Sequence, residues 1–223
     1  MAFWSSDAGR VHNVLLSRPS RVISSNEVKR VCRAVGVKYK TALAGLTRAK
    51  VIVPVVFKGI YYVRDRDERD LETIRKDALD SVAQACALKL GKDWYFGLAT
   101  ALFLSGIWGQ QALTTITVIS KRRIQRKSRF AGMNVEFRQL AGVPFSLQVS
   151  RKGHIRFSEP SRTVLDYAYF GARDPKMREF AKAIYFEYSA TAGGKVKRFS
   201  RIRNLIRKYP RLYGVYLRRL FEE

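Results

Sequence analysis

Acidic residues are scarce in this chain. Eighteen Asp and Glu stand against 43 Lys and Arg, a net charge of +25 and a pI near 10.6. A field of that sign attracts polyanions and speeds their capture. Nucleic acid is the commonest such partner, with an acidic membrane surface or a ribosome as alternatives. Cysteine is almost missing: Cys32 and Cys86 lie far apart in helical patterns, as expected of two buried thiols in a reducing cytosol. Histidine is as rare. His12 on a first helix and His154 beside a glycine turn read as surface or packed residues, and no Cys/His set has metal-ligand spacing. There is no Gly-x-Ser-x-Gly elbow and no phosphate-cradling glycine loop, so neither a cofactor nor a metal is expected. Long apolar runs are missing too. The most apolar stretch, "WYFGLATALFLSGIW" (Trp94–Trp108), has 15 residues, whereas a membrane span needs about 20. It reads as a buried core helix. The opening "MAFWSSDAGR" has neither the basic start nor the apolar run of a signal peptide. A chain without membrane association is expected, cytoplasmic and nucleoid-associated.

What is present is enough to build a core. Apolar residues make up 47% of 223 residues, which suggests one large or two small domains. "RVHNVLLSR" places Val11, Val14 and Leu15 at helical spacing. In "SSNEVKRVCRAVGV", Ser24 and Glu27 make a capping box, Val28, Val31 and Val35 a buried stripe, and Gly36 a stop. "KYKTALAGLTRAK" is a third helix, followed by strands over about Val51–Phe57 and Ile60–Val63. Helix, short strand, helix, helix and hairpin is the order of a winged helix-turn-helix, expected over residues 1–66. Lys58-Gly59 then forms the tip of the wing.

Alternating charges open a helical linker over 67–90, which leads into a mixed α/β domain over 67–223. "TTITVIS", "MNVEFRQL", "FSLQV" and "HIRFS" read as strands of a small sheet. "SEPSRTVLDYAYF" is a helix with Ser158 as N-cap, and "PKMREFAKAIYFEYSA" is another. Gly193-Gly194 reads as a hinge before a basic helical tail over 195–219, which carries ten Lys and Arg and no acid. The fold class expected is therefore α+β.

On a helical wheel the third helix buries Tyr39, Ala42, Leu43, Leu46 and Ala49. Its outer face is Lys40, Thr41, Ala44, Gly45 and Arg48, with Lys38 at the rim. Small residues in mid-face let a backbone approach a major-groove floor, with Lys40, Thr41 and Arg48 reaching base edges or phosphates. Gly45 costs about 1 kcal/mol against alanine. Close approach to the groove is one reason for it; a tight contact within the fold is another. Residues 1–66 hold 13 Lys and Arg against three acids, which favours double-stranded DNA as the partner. A second basic run, Lys121, Arg122, Arg123, Arg126, Lys127 and Arg129, suits phosphate, tRNA or DNA, or is a solvated loop.

Three stretches carry a resemblance. "L.RAKVIVPVVFKGIYYV", "YFGLATALFLSGIWGQQALTTITVIS" and "IRFSEPSRTVLDYAYF" resemble elements of the AbiEi family of antitoxins over roughly residues 10–170. In the third element Arg162, Thr163 and Asp166 match the family pattern, while Glu159 and Ser161 depart from it. The resemblance implies a transcriptional autorepressor that binds inverted repeats in its own promoter, as a monomer or dimer. It also implies an antitoxin domain that opposes a co-transcribed nucleotidyltransferase-like toxin, without a stable toxin complex being required. From spacing alone, Arg162 and Asp166 are an i,i+4 pair that locks a helix. Two other functions compete with DNA-binding repression. One is an RNA- or ribosome-associated protein using the two basic segments. The other is a nuclease, for which Glu136-Phe137-Arg138 is the best candidate, with Arg138 where a lysine is wanted and Asp93 and Asp166 without an obvious place in the set. An enzyme is not expected.

Overall fold

The structure, a computed structural model, describes residues 3–107, 113–125, 127–171, 175–191 and 205–209. It is a mixed α+β fold of helices and two sheets. Two compact units emerge: Met1–Gly91 with Ser128–Met133, and Lys92–Lys127 with Asn134–Glu223.

The first unit opens with α1 (Asp7–Leu16), capped by Ser6, whose side chain accepts from the Gly9 amide. Val11 and Leu15 are fully buried, but Val14 is exposed, because α1 turns Ala8 and His12 inward instead. β1 (Val22–Ser24) leads into α2 (Ser25–Val35), which starts at the Ser24 cap and stops at Gly36 in the left-handed conformation, as its sequence demands. α3 (Tyr39–Arg48) follows after a short turn, then β2 (Ile52–Pro54) and β3 (Ile60–Val63). The sheet order is β1-β3-β2, antiparallel throughout. Val28, Val31, Leu46, Val51 and Val63 close the core among the three helices and this sheet.

The ribbon is shorter than its composition suggests. Pairing ends at Pro54, and Val55, Val56 and Phe57 fold inward as a buried turn, with Val56 at φ 35°. The helical linker is also replaced. α4 (Arg66–Asp70) and α5 (Ala78–Leu90) are separate helices, each restarted by its own aspartate cap, Asp65 and Asp77. On α4 the buried Glu68 carboxylate accepts from the Tyr62 hydroxyl at 2.7 Å and from the Arg75 amide of the α4–α5 connection at 2.7 Å. α5 packs on β1, and the Ser20 hydroxyl donates to Gln84 at 2.6 Å. This packing carries the first unit to Gly91, past the boundary read at residue 66.

The second unit corrects the core helix expected over Trp94–Trp108. "WYF" is β4 (Trp94–Phe96), fully buried, and among the described residues of that stretch only Leu98–Leu104 is helical (α6). Three successive aromatics favour a pleated strand. Gly97 makes the corner because a Cβ there would meet Ile119 Cδ1 at 2.2 Å. β5 (Thr115–Ser120), β6 (Ser128–Phe130), β7 (Met133–Gln139), β8 (Val149–Lys152) and β9 (Ile155–Ser158) follow, and the sheet order is β6-β7-β5-β4-β9-β8. Residues 145–148 are a turn, so the "FSLQV" strand starts only at Val149. α7 (Pro160–Phe170) takes Glu159 as its N-cap residue. Ser158 instead ends β9, its hydroxyl 2.7 Å from that of Thr163. α8 (Pro175–Thr191) packs on α7. Tyr95, Ile119, Val164, Leu165, Ala181 and Leu205 belong to the core of this unit. The hinge at 193–194 and the basic tail lie outside the described residues, except for 205–209. Among the described residues no helix is long and apolar enough to cross a membrane.

Candidate nucleic-acid interface

α3 presents two unlike faces. Ala42 and Leu46 are buried, and Tyr39, Leu43 and Ala49 pack against the same core. Lys38, Lys40, Thr41, Ala44 and Arg48 are exposed. Thr47 is exposed with them and was missed by the sequence reading, although it lies seven residues after Lys40, two turns along the same stripe. None of Lys38, Lys40, Arg48 or Lys58 is ion-paired with a described residue.

The N-terminus of α3 is electrostatically unusual. Its N-cap residue is Lys38, no side chain caps the free amides, and the first turn holds no acid. Cations at the positive end of a helix dipole oppose it by about 0.3–1 kcal/mol. An anion placed there would satisfy both the dipole and the amides. Behind this turn Lys29 of α2 sits over the Tyr39 ring, 5.3 Å from its centroid.

Gly45 has a reason within the fold. It is half-buried, and a Cβ there would lie 2.7 Å from Ala8 Cβ on α1. The glycine therefore lets α1 and α3 cross closely. The crossing leaves an open groove of about 410 Å³ lined by Ser6, Asp7, Ala8, Thr41, Ala44 and Arg48 among others. Ala44 keeps the thin middle of the exposed face. Alanine at position 45 gains about 1 kcal/mol of helix propensity, but forces apart two Cβ atoms held by their backbones, which costs about 1–3 kcal/mol. Gly45→Ala is expected to lower the urea midpoint of unfolding; an unchanged or raised midpoint would mean that α1 gives way freely.

Lys58 is exposed at the β2–β3 turn, as its position demands, but no long ribbon carries it. The turn is pinned to the first residue of α2: the Ser25 amide donates to Gly59 O at 2.7 Å, and the Ser25 hydroxyl to the same oxygen at 3.0 Å. Gly59 has φ 81°. Lys58 thus stands beside the start of α2.

The second basic run spans the end of β5 and the start of β6. Lys121, Arg122 and Arg123 are exposed where the chain leaves β5, Lys127 is exposed further on, and Arg126 lies outside the described residues. Arg129 is exposed on β6, within the stretch that joins the first unit, and its Nε donates to Gly132 O at 3.3 Å.

Arg162, Thr163 and Asp166 are wholly buried. The Tyr95 hydroxyl donates to Asp166 Oδ2 at 2.9 Å and the Tyr209 hydroxyl to Oδ1 at 2.6 Å. Arg162 Nε stands 3.9 Å from Oδ2, its guanidinium stacks on the Tyr95 ring at 4.3 Å, and Nη1 donates to the carbonyls of Pro144 and Leu147. Burial pushes the Asp166 carboxyl up to about 6, against the pull of Arg162 and the two hydroxyls. The i,i+4 pair is thus part of a core network that draws on β4, α7 and the 205–209 segment.

His12 is buried, with Nε2–H donating to Arg64 O at 2.7 Å, and burial holds its pKa below the usual histidine value. His154 is exposed. Glu136 is 3.9 Å from Arg138. Among the described residues no three His, Cys, Asp or Glu are grouped to hold a metal ion.

No protein-family model and no curated protein matches the chain. Among solved structures it is similar to the crystal structure of the RV2827C protein from Mycobacterium tuberculosis. The identity is 12%, the alignment covers 97% of this chain and 76% of that one, and the TM-score is 0.65. A likeness at that identity concerns the fold alone.

Proposed function

We propose that the chain is a sequence-specific double-stranded DNA-binding transcriptional repressor whose first unit acts as a winged helix-turn-helix. The observation that carries this reading is the outer face of α3: cationic, free of ion pairs with described residues, thin at Ala44, and uncapped at an N-terminus that carries lysine. In this reading α3 enters the major groove. Lys40, Thr41, Thr47 and Arg48 meet base edges or phosphates, and Lys58 meets the backbone beside the start of α2. An occupied operator then blocks polymerase sterically.

The antitoxin role rests on the AbiEi resemblance: an autorepressor on inverted repeats of its own promoter, opposing a nucleotidyltransferase-like toxin. The burial of Arg162, Thr163 and Asp166 assigns those matching residues to the scaffold of the second unit rather than to a contact surface.

Footprinting on the upstream region of the chain's own gene tests the reading. A protected inverted repeat is expected, with affinity falling by about 0.9 log units per log unit of salt for each phosphate neutralised. Binding that is equally tight on every duplex would reject it. Within a specific complex, Lys58→Ala should weaken all duplexes alike, whereas Arg48→Ala should relax discrimination at one base position by about 1–3 kcal/mol. A uniform loss for Arg48→Ala would move that side chain to the phosphate-contacting set.

A further inference from the structure

The strand register of the second unit gathers cations that are scattered in sequence. Trp94 of β4 lies opposite Ser120 of β5, and Ser120 opposite Gln139 of β7. On the other side β9 runs parallel to β4, with Phe157 level with Phe96, and Lys152 of β8 lies opposite Ile155. The start of β4, the end of β5, the end of β8 and the start of β9 therefore share one end of the sheet. Two further bonds hold that end together. The Lys121 amide donates to Asp93 O at 3.1 Å, and Arg156 Nη1 donates to Lys92 O at 2.6 Å. Lys92, Lys121, Arg122, Arg123, Arg151 and Lys152 are all exposed there, with Asp93 the acid among them. None of the six is ion-paired with a described residue.

One pair within the rim carries a cost. Arg151 and Arg156 face each other directly across β8 and β9. Like charges at such positions destabilise a strand pair. Burial and then the opposing Arg151 charge hold the Arg156 pKa below its ordinary value. Cations on an edge strand do deter edge-to-edge aggregation, and β8 is an edge. Lys92 and Lys121–Arg123, however, stand at the ends of the interior strands β4 and β5, where no edge needs protecting. With strands spaced about 4.8 Å apart, the rim from β8 to β5 spans about 15 Å. At about 3.4 Å of axis per phosphate on one strand, that length matches about four successive phosphates.

We propose that this rim is a second, sequence-neutral binding surface for the phosphodiester backbone of a nucleic acid, distinct from the α3 face. It adds affinity without reading bases, because its reach comes from long side chains at strand ends and turns rather than from an element that fits a groove.

The test uses the full chain with Arg122→Glu, Arg151→Glu and Lys152→Glu combined, and separately the milder set Arg122→Gln and Lys152→Gln. Binding to a random-sequence DNA duplex, a single-stranded oligonucleotide and an RNA hairpin is measured as a function of salt. Losing three phosphate contacts should cut the log–log salt slope by about 2.7 on duplex and weaken binding at low salt by at least 100-fold. The neutral set should give a slope change of about 1.8 with unfolding unaltered. The polymer that loses most is the natural partner of the rim. Unchanged slopes on all three polymers would overturn the proposal, as would wild-type binding to phosphatidylserine vesicles that competes on equal terms with nucleic acid. Loss of sequence preference in Lys40 or Arg48 variants, with the rim slopes intact, would concern α3 alone, so the two surfaces fail independently.

Discussion

Lys40→Glu combined with Arg48→Glu is expected to abolish sequence-specific duplex binding while leaving the fold intact. Both side chains are exposed on the outer face of α3 and neither is ion-paired with a described residue. Exposed substitutions away from special features change stability by about 0.5 kcal/mol or less. Binding bears the whole effect. Each of the two that neutralises a phosphate removes about 0.9 from the salt slope when lost, and each reversed charge then repels the phosphates that flank the groove. A fall of at least 1,000-fold at low salt is expected, with the urea midpoint unmoved. Gel-shift titration at two salt concentrations measures it. Retention of specific binding to within tenfold would remove α3 from the interface and with it the proposed repressor.

Asp166→Ala is expected to give the largest loss of stability, in the second unit. It strips the acceptor from the hydroxyls of Tyr95 and Tyr209 and leaves Arg162 as an uncompensated buried cation. Breaking a buried pair by removing one partner costs about 3–5 kcal/mol, and each orphaned buried hydroxyl adds about 1–3 kcal/mol. Arg162→Met should cost less, because it leaves the two tyrosine hydroxyls on Asp166. Combining Arg162→Met with Asp166→Ala should cost less than the two single losses added together. Strict additivity in urea unfolding would show that the two side chains act independently.

The same carboxyl sets a pH dependence. Its folded pKa, about 6, lies above the unfolded value, so the folded protein binds the proton more tightly. Its contribution to stability is therefore most favourable below the unfolded value and declines as pH rises through about 6. The stability of wild type relative to Asp166→Asn should rise between pH 7 and pH 5. A flat difference would mean that Asp166 stays ionised throughout.

Local signals decided local structure. Ser24 and Gly36 bound α2 where the sequence places them, because a cap bond and a left-handed stop are made within a few residues. The buried and exposed sides of α3 were legible because helical periodicity sorts them before any partner is known. Thr47 was legible in the same way and was passed over. The "WYFGLATALFLSGIW" segment failed for the opposite reason: a continuous apolar run carries no period, and only pairing with β5 and β9 made its first three residues a strand. Lys58 was placed correctly at a turn, but its ribbon is short because pairing ends at Pro54 and Val55, Val56 and Phe57 are buried.

By itself the sequence determined the positive field, the α+β class and the cationic stripe on α3, since charge, composition and period are properties of the chain. Tertiary structure alone decided that Gly45 serves a helix crossing, that Arg162 and Asp166 are interior, and that Lys92, Lys121 and Lys152 share one end of a sheet. Each of these depends on distance between residues remote along the chain, and no local pattern encodes which remote residue will arrive.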